Sequence, residues 1–135
     1  FDHVSPFART FGAKMILEQI HRFNQTDPLP TIVMGDFNAK PNSKAVRTMR
    51  ENLHGYQNVK LQDIYGFLDQ LIGNTYHGFT GKIKQKFKPI DYIFVSDDFE
   101  VVKASVEITS YDGMYPSDHY PVSAVLRLKP QTAEK

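Results

Sequence analysis

The sequence contains no cysteine, which excludes disulfide bonds and thiolate chemistry from this chain. A zinc ion would therefore need histidine, aspartate or glutamate ligands. No apolar run approaches the ~20 residues that a membrane-spanning helix needs. The net charge of +1, from 16 basic and 15 acidic residues, argues against a domain that coats nucleic acid broadly, because such domains are usually strongly basic.

The chain also lacks an initial methionine, and the residues after Phe1 show neither the charged n-region nor the apolar h-region of a signal peptide. It starts at Phe1, and residues 1–4 have the character of a strand end. We therefore expect the 135 residues, which fit one domain, to be a piece of a longer protein. Localisation stays unknown: the cytoplasm is slightly favoured, and export remains open because the native N-terminus is expected to be missing.

Hydrophobic periodicity predicts three helices. The first covers residues 6–24 after the N-cap Ser5, the second residues 43–53, and a short third one residues 61–71. The second helix is expected to turn four apolar side chains inward: Ala45, Val46, Met49 and Leu53. The first is expected to pack through one apolar stripe, formed by Phe7, Phe11, Ile16, Ile20 and Phe23.

Short apolar runs predict strands at 31–34, 74–79, 90–95, 100–109 and 120–128. Helices that alternate with strands and are then followed mostly by strands indicate an α/β fold. We expect one mixed, mostly antiparallel sheet covered by helices on one face. The other face then needs a further layer.

A cluster of lysines lies between two of the predicted strands. Lys82, Lys84, Lys86 and Lys88 alternate with other residues, and alternate residues of an extended segment share one face. Two interpretations stay open: a solvated hairpin, and a rim of ammonium groups that attracts anions.

Asp36 and Asn38 follow the predicted strand 31–34, and alternation places both side chains on the same side. A carboxylate and an amide in this arrangement can orient a water molecule or bind a hard metal ion through oxygen. The alternative is an Asx-turn without chemistry.

Asp91 begins one predicted strand, and Asp118 and His119 precede another. Histidine can donate to a phosphoryl oxygen or transfer a proton near neutral pH. A carboxylate in an apolar strand needs a partner, and an imidazole N–H would satisfy it while fixing the ring. The structural alternatives are a capping Asp118, a packed His119 and a salt bridge of Asp91.

In this order, the segments VMGDFNAKPNS, PIDYIFVS and YPSDHYPV resemble the endonuclease/exonuclease/phosphatase superfamily, whose fold is deoxyribonuclease-I-like. The segments FDHVSPFAR and NTYHGFTG are similar to its bacterial branch. The resemblance implies a four-layer α/β sandwich with two sheets packed face to face. Residues 1–135 would form its C-terminal half, with the N-terminal half of the same domain as partner.

The resemblance also implies a function: divalent-metal-dependent phosphoester hydrolysis by in-line attack of an activated water. The enzyme would be a phosphodiesterase, a nuclease or a phosphatase, with Mg²⁺ or Mn²⁺ as cofactor. The substrate would be a nucleic acid, a phospholipid or a sugar phosphate.

The same resemblance assigns roles to five residues. Asp36 matches the aspartate that positions or deprotonates the attacking water, and Asn38 matches the asparagine that helps to hold it. His119 matches the histidine that contacts the scissile phosphate, and Asp91 matches the aspartate bonded to that histidine. Asp118 matches an aspartate that assists the metal, for which Asp36 and Asn38 are further candidate ligands.

Four other residues are candidate substrate contacts: His3, Tyr76, His77 and Lys88. The family's first-half asparagine and metal-binding glutamate are absent, so we expect the fragment alone to be nearly inactive. No tryptophan precedes Asp91, which argues against an abasic-site pocket. The alternative function is a non-catalytic or nucleic-acid-binding half-domain that uses the basic 82–88 hairpin.

Overall fold

The structure is a computed structural model that describes residues 1–68, 73–84 and 86–130. None of the described helices is both long enough and apolar enough to cross a membrane. The described elements, in chain order, are α1 (Pro6–Thr26), β1 (Ile32–Asp36), α2 (Lys44–Glu51), β2 (Leu61–Asp63), a 3₁₀ helix (Ile64–Phe67), β3 (Asp91–Ser96), β4 (Phe99–Val106) and β5 (Val122–Leu128).

Helix α1 begins where the sequence predicts. The Ser5 hydroxyl oxygen accepts a hydrogen bond from the Ala8 backbone N–H at 3.2 Å. Pro6 occupies the first turn, where its missing N–H removes no helical hydrogen bond. The helix ends at Thr26, and Asp27 caps it just before Pro28.

The apolar stripe predicted for α1 is wrong for its aromatic residues. Phe7, Phe11 and Phe23 are exposed. The buried face carries smaller side chains at spacings of four and three, and it packs against α2. These buried residues are Ala13, Leu17 and Ile20.

Helix α2 also has the predicted start. The Ser43 hydroxyl oxygen accepts from the Val46 N–H at 3.3 Å, and Asn52 ends the helix in the left-handed region with φ of 48°. Three of the four residues expected to face inward are buried. The fourth, Leu53, lies beyond the helix end and is exposed.

Strand β3 is the centre of a three-stranded antiparallel sheet with the order β1-β3-β2. Tyr92 and Phe94 point to the core formed with α1 and α2, whereas Ile93 and Val95 point to the opposite core. Both faces of β3 are therefore buried, which explains its continuous apolar run.

Strands β4 and β5 form a second antiparallel ladder, which packs against Ile93 and Val95 of β3. The predicted α/β class is confirmed. The described strands, however, form two ladders rather than one sheet. The layer that the first sheet needs opposite its helices is thus supplied in part by β4 and β5.

This second layer leaves the edge strand β1 partly uncovered. Ile32 and Met34 are register partners of Val95 and Ile93, so all four side chains lie on the same face of the sheet. Nevertheless, Ile32 and Met34 are exposed, with Met34 at 72%. An apolar strip therefore runs along β1 towards its end at Asp36.

Two predicted elements are wrong. In place of a helix over 61–71, the chain forms β2 and then the 3₁₀ helix, which starts where the Asp63 carboxylate accepts the Tyr65 N–H. Residues 69–72 lie outside the described part. In place of a strand over 74–79, a single isolated bridge joins Tyr76 to His119.

The lysine segment 82–88 does not form the predicted extended hairpin in its described residues. All four lysines are exposed. The Phe87 N–H closes a turn on the Lys84 carbonyl at 2.9 Å. The ammonium groups of Lys84 and Lys86 lie 5.1 and 5.6 Å from the centre of the Phe87 ring, so these two converge on one aromatic side chain.

Candidate active site

Two carboxylates face each other where the ladder between β1 and β3 ends. Asp36 is the last residue of β1 and Asp91 the first of β3, and the register makes them direct partners. Both side chains are half-buried. Like charges directly opposite each other destabilise a sheet, so this pair points to a function that needs two carboxylates together.

The chain turns sharply after Asp36. Its Oδ1 accepts a hydrogen bond from the Asn38 backbone N–H at 2.7 Å, and Asn38 has φ of 47°. The Asn38 side-chain Nδ2 donates to the Phe1 carbonyl oxygen at 2.7 Å. The Asx-turn considered from the sequence is therefore present. Its hydrogen bond uses only one of the two carboxylate oxygens of Asp36, Oδ1.

His119 pairs with Asp91, as the resemblance to the family implies. Its Nδ1 lies 2.8 Å from Asp91 Oδ2, with the two side chains 25% and 17% exposed. A carboxylate can only accept, so Nδ1 carries the proton and donates it in this bond. The bond fixes the ring, and Nε2 becomes the atom available for chemistry.

The surroundings of His119 have opposing effects on its pKa. Burial by itself lowers the pKa, because the imidazolium is desolvated. The hydrogen bond to Asp91 and the charges of Asp91, Asp36 and Asp118 act the other way, and together they raise the pKa above its usual value. The site therefore favours the protonated form of His119 more than water does.

This pKa shift predicts a pH-dependent stability. A group whose pKa is raised in the folded state stabilises the fold fully below its unfolded pKa, 6.5 for histidine, and loses that contribution as pH rises through the folded value. We expect the free energy of unfolding to fall with rising pH above about 6.5. Asp91→Asn should flatten this fall, since asparagine keeps an acceptor oxygen but loses the charge.

Urea unfolding of the full-length protein and of Asp91→Asn, at several pH values with a chelator present, measures the two slopes. Asp112→Asn is a suitable control, because Asp112 is exposed and its φ of 52° is a conformation that asparagine tolerates. Identical slopes for the wild type and Asp91→Asn would contradict the electrostatic coupling.

An open cavity of about 440 Å³ lies over this cluster. Asp36, Asp91 and His119 line it together with apolar residues from β1, β3 and β5. A cleft of this kind holds a few polar groups against apolar walls, which is the usual build of a small-molecule site. The apolar wall residues that belong to the three strands are Met34, Ile93 and Val122.

Asp118 has a different place from its neighbour His119. Its backbone carbonyl accepts from the N–H groups of His77 and Gly78 at 2.8 and 3.1 Å. Among the described residues, Asp36, Asp91 and His119 bring their possible ligand atoms within 4.8 Å of one another. The Asp118 carboxylate does not belong to this group. Its role as a metal ligand stays a prediction, as does that of Asn38.

The four candidate substrate contacts differ in exposure and in their position relative to the site. Tyr76 is half-exposed, and its ring meets the His119 ring edge-on at 5.2 Å. His77 is only 6% exposed and stacks on Tyr120 at 4.1 Å, which argues against direct contact of its ring with a substrate. His3 and Lys88 are exposed and do not line the cavity.

The sequence reasoning missed one residue at this site, Thr75. It is fully buried, and it bonds both to the start of β3 and to the residue after His119. No local pattern marks it, because its importance comes from contacts with segments far along the chain.

The arrangement suits a hard divalent cation. Asp36 and Asp91 bring two carboxylates to one point, and such oxygen donors are the ligands that Mg²⁺ and Mn²⁺ prefer. A cation there would also offset the repulsion between the two charges. Each carboxylate has one oxygen in a hydrogen bond, Asp36 Oδ1 with the Asn38 N–H and Asp91 Oδ2 with His119, so each has a second oxygen to offer to a cation.

Comparison with known proteins identifies the family to which this chain belongs. The model of the Endonuclease/Exonuclease/phosphatase family matches residues 1–119. The chain therefore belongs to the endonuclease/exonuclease/phosphatase family. A search of curated protein sequences found no match to this chain.

Several solved structures share the fold. A functionally unknown conserved protein from Enterococcus faecalis V583 is 30% identical, with a TM-score of 0.73, and the match covers 95% of this chain and 47% of that one. A family protein from Bacteroides thetaiotaomicron is 26% identical, with a TM-score of 0.80 and coverage of 100% and 49%. A mannosyl-6-phosphatase from Bacteroides thetaiotaomicron VPI-5482 is 27% identical, with a TM-score of 0.76 and coverage of 94% and 48%. The chain thus spans about half the length of the structures it matches.

Proposed function

We propose that the full-length protein hydrolyses phosphoesters with the help of a divalent cation, Mg²⁺ or Mn²⁺. The observation that carries the proposal is the convergence of Asp36, Asp91 and the fixed His119 ring on one open cavity. Family membership supports the same reaction class. The remaining part of the domain would complete the site, so we expect the 135 residues alone to show little activity.

Each side chain has a separate role in the proposed reaction. Asp36, with Asn38 beside it, holds and deprotonates the water that attacks phosphorus. His119, protonated and held by Asp91, donates from Nε2 to a phosphoryl oxygen and stabilises its developing charge. The bound cation, held by Asp36 with Asn38 and Asp118 as further oxygen ligands, would act as a Lewis acid on the phosphoryl group.

A phosphomonoester of a sugar is the first substrate class to test. A solved relative at 27% identity is described as a mannosyl-6-phosphatase, and the cavity has room for a small phosphorylated molecule. Nucleic acids and phospholipids are the other substrate classes that the proposal includes.

The test is a substrate panel on the full-length protein: mannose 6-phosphate, p-nitrophenyl phosphate, bis-p-nitrophenyl phosphate and single-stranded DNA. We expect hydrolysis of at least one with Mg²⁺ or Mn²⁺, and a loss of about 10²-fold or more with a chelator, because a Lewis acid supplies several kcal/mol. Added metal should restore the rate. DNA binding without hydrolysis of any substrate would instead favour the alternative function of the lysine segment 82–88.

A further inference from the structure

One loop connects the two halves of the candidate site. Its residues Thr75, Tyr76 and His77 lie between the start of β3, which carries Asp91, and the segment that carries Asp118 and His119. The Tyr76 backbone forms a bridge with His119, and the His77 N–H donates to the Asp118 carbonyl at 2.8 Å. The loop therefore sits where it can set the distance between the two segments.

Thr75 contacts both segments directly. Its side-chain Oγ1 accepts from the backbone N–H groups of Ile90 and Asp91 at 3.0 and 3.3 Å. Its own carbonyl oxygen accepts from the Tyr120 N–H at 2.7 Å. The residue is fully buried, so none of these three hydrogen bonds competes with solvent.

These three hydrogen bonds hold the backbone at or beside Asp91 and His119, the two residues that pair in the site. One fixes the backbone of Asp91 itself, and another fixes the residue that follows His119. The N–H groups of Ile90 and Asp91 lie at the point where β3 begins, so the Thr75 hydroxyl oxygen takes over the acceptor role at this end of the strand.

We infer that Thr75 is a positioning residue of the active site, which holds the Asp91 carboxylate and the His119 ring in the geometry of their 2.8 Å hydrogen bond. The inference rests on the proposed function for its catalytic consequence. Its structural part, the bridge between the two segments, stands on the hydrogen bonds alone. Small errors in the placement of a reacting group lower the rate strongly, even when substrate still binds.

Thr75→Val tests the role of the threonine hydroxyl separately from the role of the side-chain volume. Valine has nearly the same shape but cannot accept a hydrogen bond, so the N–H groups of Ile90 and Asp91 lose their acceptor. Thr75→Ser restores the hydroxyl and removes only a methyl group. The matched control is Thr48→Val in α2, because Thr48 is equally buried and its hydroxyl has no hydrogen-bond partner among the described residues.

Two readouts are measured on the full-length protein at a temperature where every variant is folded. In steady-state kinetics, we expect Thr75→Val to lower kcat by about 10- to 100-fold with little change in KM. Thr75→Ser should recover most of the kcat, and Thr48→Val should equal the wild type. In amide hydrogen exchange, Ile90 and Asp91 should exchange faster in Thr75→Val, while the core residue Phe94 should not.

An unchanged kcat in Thr75→Val, or a serine variant as impaired as the valine variant, would overturn the positioning role. Faster exchange throughout the protein would reduce Thr75 to a general packing residue and would also overturn it. If the wild type hydrolyses nothing, the proposed function fails. The exchange measurement still decides whether Thr75 connects the two segments.

Discussion

Replacing His119 by alanine should lower kcat by about 10²–10³-fold, because the transition state then loses a positioned donor to its developing negative charge. KM should change much less, since the remaining cavity still binds the substrate. The ring is held by Asp91 in a half-buried site, so water cannot supply an equally oriented donor. Steady-state kinetics on the best substrate of the panel measures the effect.

His54→Ala is the matched control for this variant. His54 is exposed in the turn after α2 and does not line the cavity, so its loss should leave kcat unchanged. Thermal unfolding of both variants shows whether they are folded. Retention of more than about half of the wild-type kcat in His119→Ala would contradict the proposed role, because a lost charge-stabilising donor commonly has a far larger effect.

Replacing Asp36 by asparagine should have an effect of similar or larger size. Asparagine keeps the oxygen that accepts from the Asn38 N–H, so the turn after β1 should persist. The substitution removes only the negative charge and the basicity that a water-activating carboxylate and metal ligand needs. We expect kcat to fall on the order of 10²–10⁴-fold, the range of a general base, and the Mg²⁺ concentration for half-maximal activity to rise.

A metal titration of the residual activity separates the two roles of Asp36. A lower kcat at saturating Mg²⁺ indicates loss of water activation, whereas recovery at high Mg²⁺ indicates loss of a ligand. Asp112→Asn makes the same chemical change at an exposed position and should behave like the wild type. Full activity of Asp36→Asn at ordinary Mg²⁺ concentrations would refute the mechanism.

The sequence predicts that Asp91 needs a partner, with an imidazole N–H as one candidate, and the resemblance to the family assigns that partner as His119. A carboxylate at the start of β3 needs a partner, and strand ends on one side of a sheet meet. The direct opposition of Asp36 and Asp91 is set by the register of β1 and β3. Register follows from the packing of both faces and could not be read from either strand alone.

The errors have physical causes too. Apolar residues at spacings of three to five suggested a buried stripe on α1. Of that stripe Ile20 is buried, but Ala13 and Leu17 take the places expected for the phenylalanines. The helix predicted for 61–71 fails because Leu61–Asp63 pair with β3, and the Asp63 carboxylate then accepts the Tyr65 N–H at the start of the 3₁₀ helix Ile64–Phe67. Thr75 acts through partners 15 and more residues away, which no local pattern reports.

The two opposed carboxylates at the end of the β1–β3 ladder have a consequence for anyone who engineers this protein. Neutralising Asp36 relieves the repulsion between direct cross-strand partners and leaves the Asp91–His119 hydrogen bond in place, so we expect the fold to gain while the chemistry is lost. A selection for heat resistance alone would therefore enrich inactive variants at this position. Screens for a robust enzyme should fix both aspartates and seek stability elsewhere, for instance on the exposed face of α1.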